Sequence, residues 1–170
     1  MKEKNLQELE RIMTLYQHSL DKLKAEREGE LQTQERFMIE FDRVKKSVIW
    51  PVLIDVGNQL TRYGHDFRVM EEEEYIDATA FYHPAMITFY IFPAVLGRSP
   101  RHIDSMPYIS FVADRYAKKV TINVSTMMPN TGGVVGSHGS FELDKITAEL
   151  VEAEIVQVLK NIPLFRREEA

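Results

Sequence analysis

"LQELERIMTLYQHSLDKL", residues 6–23, decides the fold. Its large apolar residues Leu6, Leu9, Met13, Tyr16, Leu20 and Leu23 recur at alternating intervals of three and four, the spacing of a heptad seam along one helix. A seam of this kind is satisfied by a second helix. It predicts a homo-oligomer, with a dimer favoured as the commonest closed assembly. The alternative is an amphipathic helix lying on its own domain, and Ile12, at a flanking g position, widens the stripe in that direction. The few charges at e and g positions give no clean rule for strand number or orientation. Farther along, the same phase meets the polar residues Arg27, Glu30 and Gln34 and returns at Phe37, Phe41, Val44 and Val48. A phase kept across Gly29 predicts one long helix, weakened there because glycine costs about 1 kcal/mol relative to alanine. A helical hairpin turning at Gly29 is the other reading. The organisation expected is a heptad-patterned oligomerisation helix over residues 1–34 and an α+β domain over 35–170.

The helical pattern continues to Gly64, with Pro51 inside it. Pro51 lacks the N–H that would bond the Ser47 carbonyl, so a kink is expected, with Trp50 packed at the bend as a bulky core residue. Beyond Gly64 the pattern changes to short β-rich runs over residues 66–70, 76–83, 86–92, 108–113 and 118–126. Their short connections favour antiparallel pairing, and "ADRYAKK", residues 113–119, reads as a hairpin turn. In the last run Val120, Ile122 and Val124 alternate with Thr121, Asn123 and Ser125, which predicts one buried sheet face. A closing helix follows. Thr147 is its expected N-cap, and Ile146, Leu150, Val158 and Ile162 are expected to pack. The fold class is therefore α+β: a long N-terminal helix, an antiparallel sheet of about five strands and a C-terminal helix, in two layers.

Composition narrows the function. The 170 residues include no cysteine, which excludes disulfides, thiolate catalysis and cysteine-ligated metal. A net charge of −5 offers nucleic acid and anionic membranes no long-range attraction. The N-terminus "MKEKNLQELERIM" mixes charges into its apolar residues, unlike a signal peptide, and no apolar run approaches the roughly 20 residues of a membrane span. A cytoplasmic protein with no cofactor is expected. The five histidines include no pair at metal-ligand spacing, and His102, Asp104 and Ser105 are too close in sequence to converge as a triad. Glu71 to Glu74 lack the alternating ligands of a calcium loop and read as a solvated acidic edge.

Two segments could hold a ligand. "PNTGGVVGSHGS", residues 129–140, places Gly133, Gly136 and Gly139 three apart, so its backbone N–H groups could nest an anion with help from His138. It lacks the Gly-Lys-Ser/Thr ending of a P-loop, and a flexible connection between strand and helix explains it as well. "GRSPRHIDSMP", residues 97–107, carries Arg98, Arg101 and His102, which could bind a carboxylate or phosphate. An exposed polar linker is the competing account. The small acidic α+β form is shared with secretion chaperones among others, an analogy of form that transfers no residue. The expected function is a non-enzymatic, self-associating interaction or adaptor/chaperone-like module binding a protein partner. The alternative is a small anionic-ligand-binding or catalytic domain using the 97–104 and 129–140 loops.

Overall fold

The computed structural model describes residues 1–96, 103–129 and 131–165. Two compact units make up the chain, Met1–Phe37 and Met38–Ala170. Helix α1 runs over Glu3–Val44 without a break at Gly29, so the hairpin reading falls. The turn at Gly29 keeps its local bonds, and the Thr33 hydroxyl donates to the Gly29 carbonyl at 2.7 Å. A five-residue π-helical turn, Lys45–Ile49, follows, and α2 then spans Trp50–Arg62.

The π turn is how the helix admits Pro51. Its wider bonding pattern, with the Trp50 N–H donating to the Lys45 carbonyl, adds one residue to a turn. The apolar stripe consequently shifts by one position. Phe41 and Val44 are buried as the heptad phase predicts, but Ile49 replaces Val48 as the fully buried residue, followed by Val52 and Leu53. Trp50 corrects the expectation of a core residue at the bend: it is 38% exposed. The same shift buries Lys45, whose ammonium lies 3.2 Å from Asp42. The Lys46 hydrogen bond, with help from Lys45, holds the Asp42 carboxyl below the usual carboxylate range.

The sheet is antiparallel throughout, in the order β1-β4-β5-β6-β7, from β1 (Asp66–Glu72), β4 (Met86–Phe92), β5 (Tyr108–Asp114), β6 (Lys119–Ser125) and β7 (Val135–Phe141). Two expectations need correction. The run over residues 76–83 is not a sheet strand but the two short arms of a separate hairpin, β2 (Tyr75–Ile76) and β3 (Tyr82–His83). The fifth strand comes from within the glycine-rich segment: β7 pairs with β6, with an irregularity between Thr121 and Asn123. The β5–β6 turn falls where "ADRYAKK" predicts it, with Lys118 at φ 54°.

Register stacks one apolar face. Phe89 pairs with Ile109 and Ile87 with Phe111, which in turn pair with Val124 and Ile122. Alternation then directs Ile87, Phe89, Ile91, Ile109, Phe111, Ala113, Val120 and Ile122 to the same side, and none has measurable exposure. Helix α3 (Ala148–Asn161) packs on β5 and on α2, and α2 also packs on β1. Thr147 caps α3 as expected, accepting from the Leu150 N–H at 3.2 Å. Ile146, Val158 and Ile162 are buried as expected and Leu150 is only half-buried, with Val151 and Ile155 completing the buried face of α3. On the opposite side of the sheet the Thr88 and Ser110 hydroxyls bond at 2.8 Å, beside the Tyr90 and Tyr108 rings.

Gly57 sets the closeness of α2 to β1. A Cβ there would meet the Phe67 ring at 2.5 Å, and Phe67 stacks on the fully buried Phe89 with ring centroids 5.6 Å apart. The half-buried ring would have to shift against Phe89 to admit the Cβ. Gly57→Ala is expected to lower stability by about 1–3 kcal/mol through overpacking, despite alanine's better helix propensity. Chemical denaturation measures this, and a more stable variant would contradict the packing described.

Candidate functional site

The N-terminal seam is the largest set of apolar side chains that the described residues leave in solvent. No proline interrupts residues 3–44, and i,i+3 and i,i+4 pairs such as Arg11–Glu8 and Gln17–Asp21 support the exposed helix. Along its seam Leu6, Leu9, Met13, Tyr16 and Leu23 are between 45% and 62% exposed. Leu20 is half-buried and shares a groove with Leu23, Lys24, Glu26 and Arg27. Ile12 and Leu15 are exposed beside the seam. Gln34 and Phe37, which continue its phase, are buried. Leucine-sized side chains each forgo about 1.5–3 kcal/mol by remaining in water rather than in a core, so an exposed stripe of this length calls for a physical account.

The glycine-rich segment is built as a turn and an edge strand, not as an open loop. Gly132 and Gly133 have φ of 71° and 146°, and a Cβ on Gly133 would lie 2.6 Å from the Met127 backbone. Only glycine fits there. Gly136 sits in β7 with open space beside it, and Gly139 has φ 108°. His138 is already engaged: its Nδ1 lies 2.9 Å from the Glu154 carboxylate of α3. That carboxylate fastens the edge strand to the helix and sets a negative charge where an anion would need a donor. Arg98, Arg101 and His102 lie outside the described residues, as does the question of their meeting the glycine segment.

A polar cluster that sequence reasoning missed surrounds the β2–β3 hairpin. Glu74 accepts from Arg115 through both carboxylate oxygens and from the Tyr82 hydroxyl at 2.6 Å. It thereby ties the hairpin to the β5–β6 turn. Asp77 closes the hairpin tip, accepting from the Thr79 hydroxyl at 2.6 Å and from the Thr79 and Phe81 N–H groups. Its other oxygen lies 2.8 Å from His83, whose ring stacks on Tyr75 with centroids 4.4 Å apart. The bond to Thr79, then those to His83 and Phe81, lower the Asp77 pKa strongly. Burial and the Glu74 bond push Tyr82 up to about 12, so its hydroxyl stays a donor. These groups satisfy one another. The available signal was Asp77 followed by Thr79, an Asx-turn pattern that interrupts the strand-like run.

The acidic run Glu71–Glu74 thus divides, with Glu71, Glu72 and Glu73 exposed as expected and Glu74 bound. Among the described residues no group of three or more His, Cys, Asp or Glu side chains is placed to hold a metal ion. No protein-family model matches the chain, and the comparisons with curated proteins and with solved structures found no match.

The hairpin tie gives a pH signature. The Arg115 hydrogen bonds, with a contribution from Tyr82, lower the Glu74 pKa below its ordinary value of 4.5. A depressed carboxylate contributes stability that is full above the unfolded value and fades as pH falls through the folded one. Glu74→Gln is expected to cost on the order of 1 kcal/mol at pH 7, allowing for partial solvent screening. The gap from the unaltered chain should close as pH drops below 4.5 in denaturation measurements. A gap that persists unchanged to pH 2 would show that the ion pair is not its source.

Proposed function

We propose that the chain is a non-enzymatic, self-associating interaction module of adaptor or chaperone-like character. Copies join through a coiled coil along residues 6–23, and the α+β unit meets a protein partner. The observation that carries this reading is the exposure of Leu6, Leu9, Met13, Tyr16 and Leu23 at heptad spacing on a continuous helix. A second helix is the partner that this spacing suits best, and a dimer is the simplest assembly. The β2–β3 hairpin supports the protein-partner part: Asp77 holds its backbone and Glu74 its Tyr82 side chain, while Ile76 and Phe81, both 70% exposed, stand at its tip. A rigid mount for exposed apolar side chains suits recognition of another protein. A cytoplasmic setting belongs to the same reading; no helix among the described residues is long and apolar enough to cross a membrane.

Paired substitution of Met13→Glu and Leu23→Glu tests it, because both side chains are exposed in the single chain and their loss leaves the sheet core untouched. Light scattering should show the oligomeric mass of the unaltered protein falling to that of one chain. The dissociation constant should rise by about a hundredfold or more, since burying unpaired carboxylates costs several kcal/mol. The melting temperature of the α+β unit should stay the same. A single-chain mass for the unaltered protein, or an unchanged mass for the variant, overturns the reading.

A further inference from the structure

The seam carries more than a tendency to associate: we infer that two copies of the helix pair antiparallel, about a two-fold axis that crosses between Thr14 and Leu15. This inference rests on the self-association proposed above and adds its orientation and register. The intervals along Leu6, Leu9, Met13, Tyr16, Leu20 and Leu23 read the same in both directions, three, four, three, four, three. Turning one copy end for end therefore brings Leu6 opposite the partner's Leu23, Leu9 opposite the partner's Leu20 and Met13 opposite the partner's Tyr16. Every seam residue meets another apolar seam residue. Sliding the partner one heptad in one direction puts Arg27 opposite the partner's Leu9 and Glu30 opposite the partner's Leu6, and sliding it the other way puts Leu20 opposite the partner's Lys2.

Charge, which gives no rule for orientation from the sequence alone, favours the same arrangement once α1 is seen to be unbroken through Arg27 and Glu30. In an antiparallel pair the e positions of the two helices flank the seam on one side, and side chains lean toward the N-terminus of their own helix. Glu10 and the partner's Lys24 then lean toward each other, and the symmetry axis repeats the pair. Among the described residues neither Glu10 nor Lys24 forms an ion pair within its own chain, so both are available for this contact. A parallel, in-register pair also matches the six apolar residues, but its flanking g and e residues are Asn5 with Glu10, Ile12 with Gln17 and Ser19 with Lys24, none oppositely charged. It also stacks Arg27 on the partner's Arg27 and Glu30 on the partner's Glu30 in the next two layers. Because α1 continues unbroken to Val44, those like charges are held face to face. In the antiparallel pair Arg27 instead comes level with the partner's Lys2, which precedes the helix that begins at Glu3, so this like charge is not held in place by helix on both sides.

The absence of cysteine allows a direct test. Leu9→Cys and Leu20→Cys proteins are prepared separately, then oxidised alone and as an equal mixture. The antiparallel pair predicts a disulfide-linked dimer from the mixture and little from either protein alone. Leu9 lies about 16 Å along the helix axis from the partner's Leu9, against a Cα separation of roughly 7 Å or less for a disulfide. Efficient linkage of each protein alone shows a parallel pair and overturns the inference. Should the cysteines weaken assembly, the charge test stands independently: Glu10→Lys alone and Lys24→Glu alone should each weaken dimerisation by about fivefold or more, and the two together on one chain should restore it. Single changes without effect in a protein that is still dimeric refute the orientation while leaving self-association intact. A monomeric unaltered protein refutes both.

Discussion

The α+β unit depends on one apolar sheet face. Ile87, Phe89, Ile91, Ile109, Phe111, Ala113, Val120 and Ile122 lie on it without exposure, and they come from three adjacent central strands whose antiparallel register brings them side by side. A face of that kind requires a helical layer, and α2 and α3 provide it. The demand reaches back into local detail. Gly57 is small because α2 lies against the Phe67 ring, and α3 offers Val151, Ile155 and Val158 at the spacing of one helix face.

The N-terminal helix responds to two constraints in succession. From Phe41 onward its apolar side chains are buried in the α+β unit, and the π turn at Lys45–Ile49 accommodates Pro51 by moving the stripe one residue along. Over residues 6–23 the side chains of the same stripe are largely exposed. One helix thus carries a satisfied stretch and an unsatisfied one, divided by the polar positions Arg27 and Glu30. On the proposed account that division assigns the first stretch to folding and the second to assembly.

Periodicity made the helices and the central strands legible, because burial on one face writes itself directly into spacing. The alternation of Val120, Ile122 and Val124 located β6, and the phase kept across Gly29 indicated the continuous helix. What escaped was governed by backbone geometry and by pairing at a distance. β7 is "VGSHGSF", with two glycines and almost no buried side chain, so it has no strand pattern to read; its existence follows from the free edge of β6. The one-residue shift at the π turn alters no composition, yet it exchanged Val48 for Ile49 in the core and left Trp50 in solvent. The candidate site shows the same split. The apolar stripe over residues 6–23 was legible as spacing, whereas the contact of His138 with Glu154 and the tie from Glu74 to Arg115 join residues far apart in sequence.

Amide hydrogen exchange followed over a range of protein concentrations tests the central claim most directly, because it reads the helix residue by residue. If residues 6–23 form an intermolecular seam, their protection should rise with concentration, while the amides of Val120, Ile122 and Val124 in the central sheet keep the same protection throughout. Protection over residues 6–23 that is the same at every concentration would contradict the account.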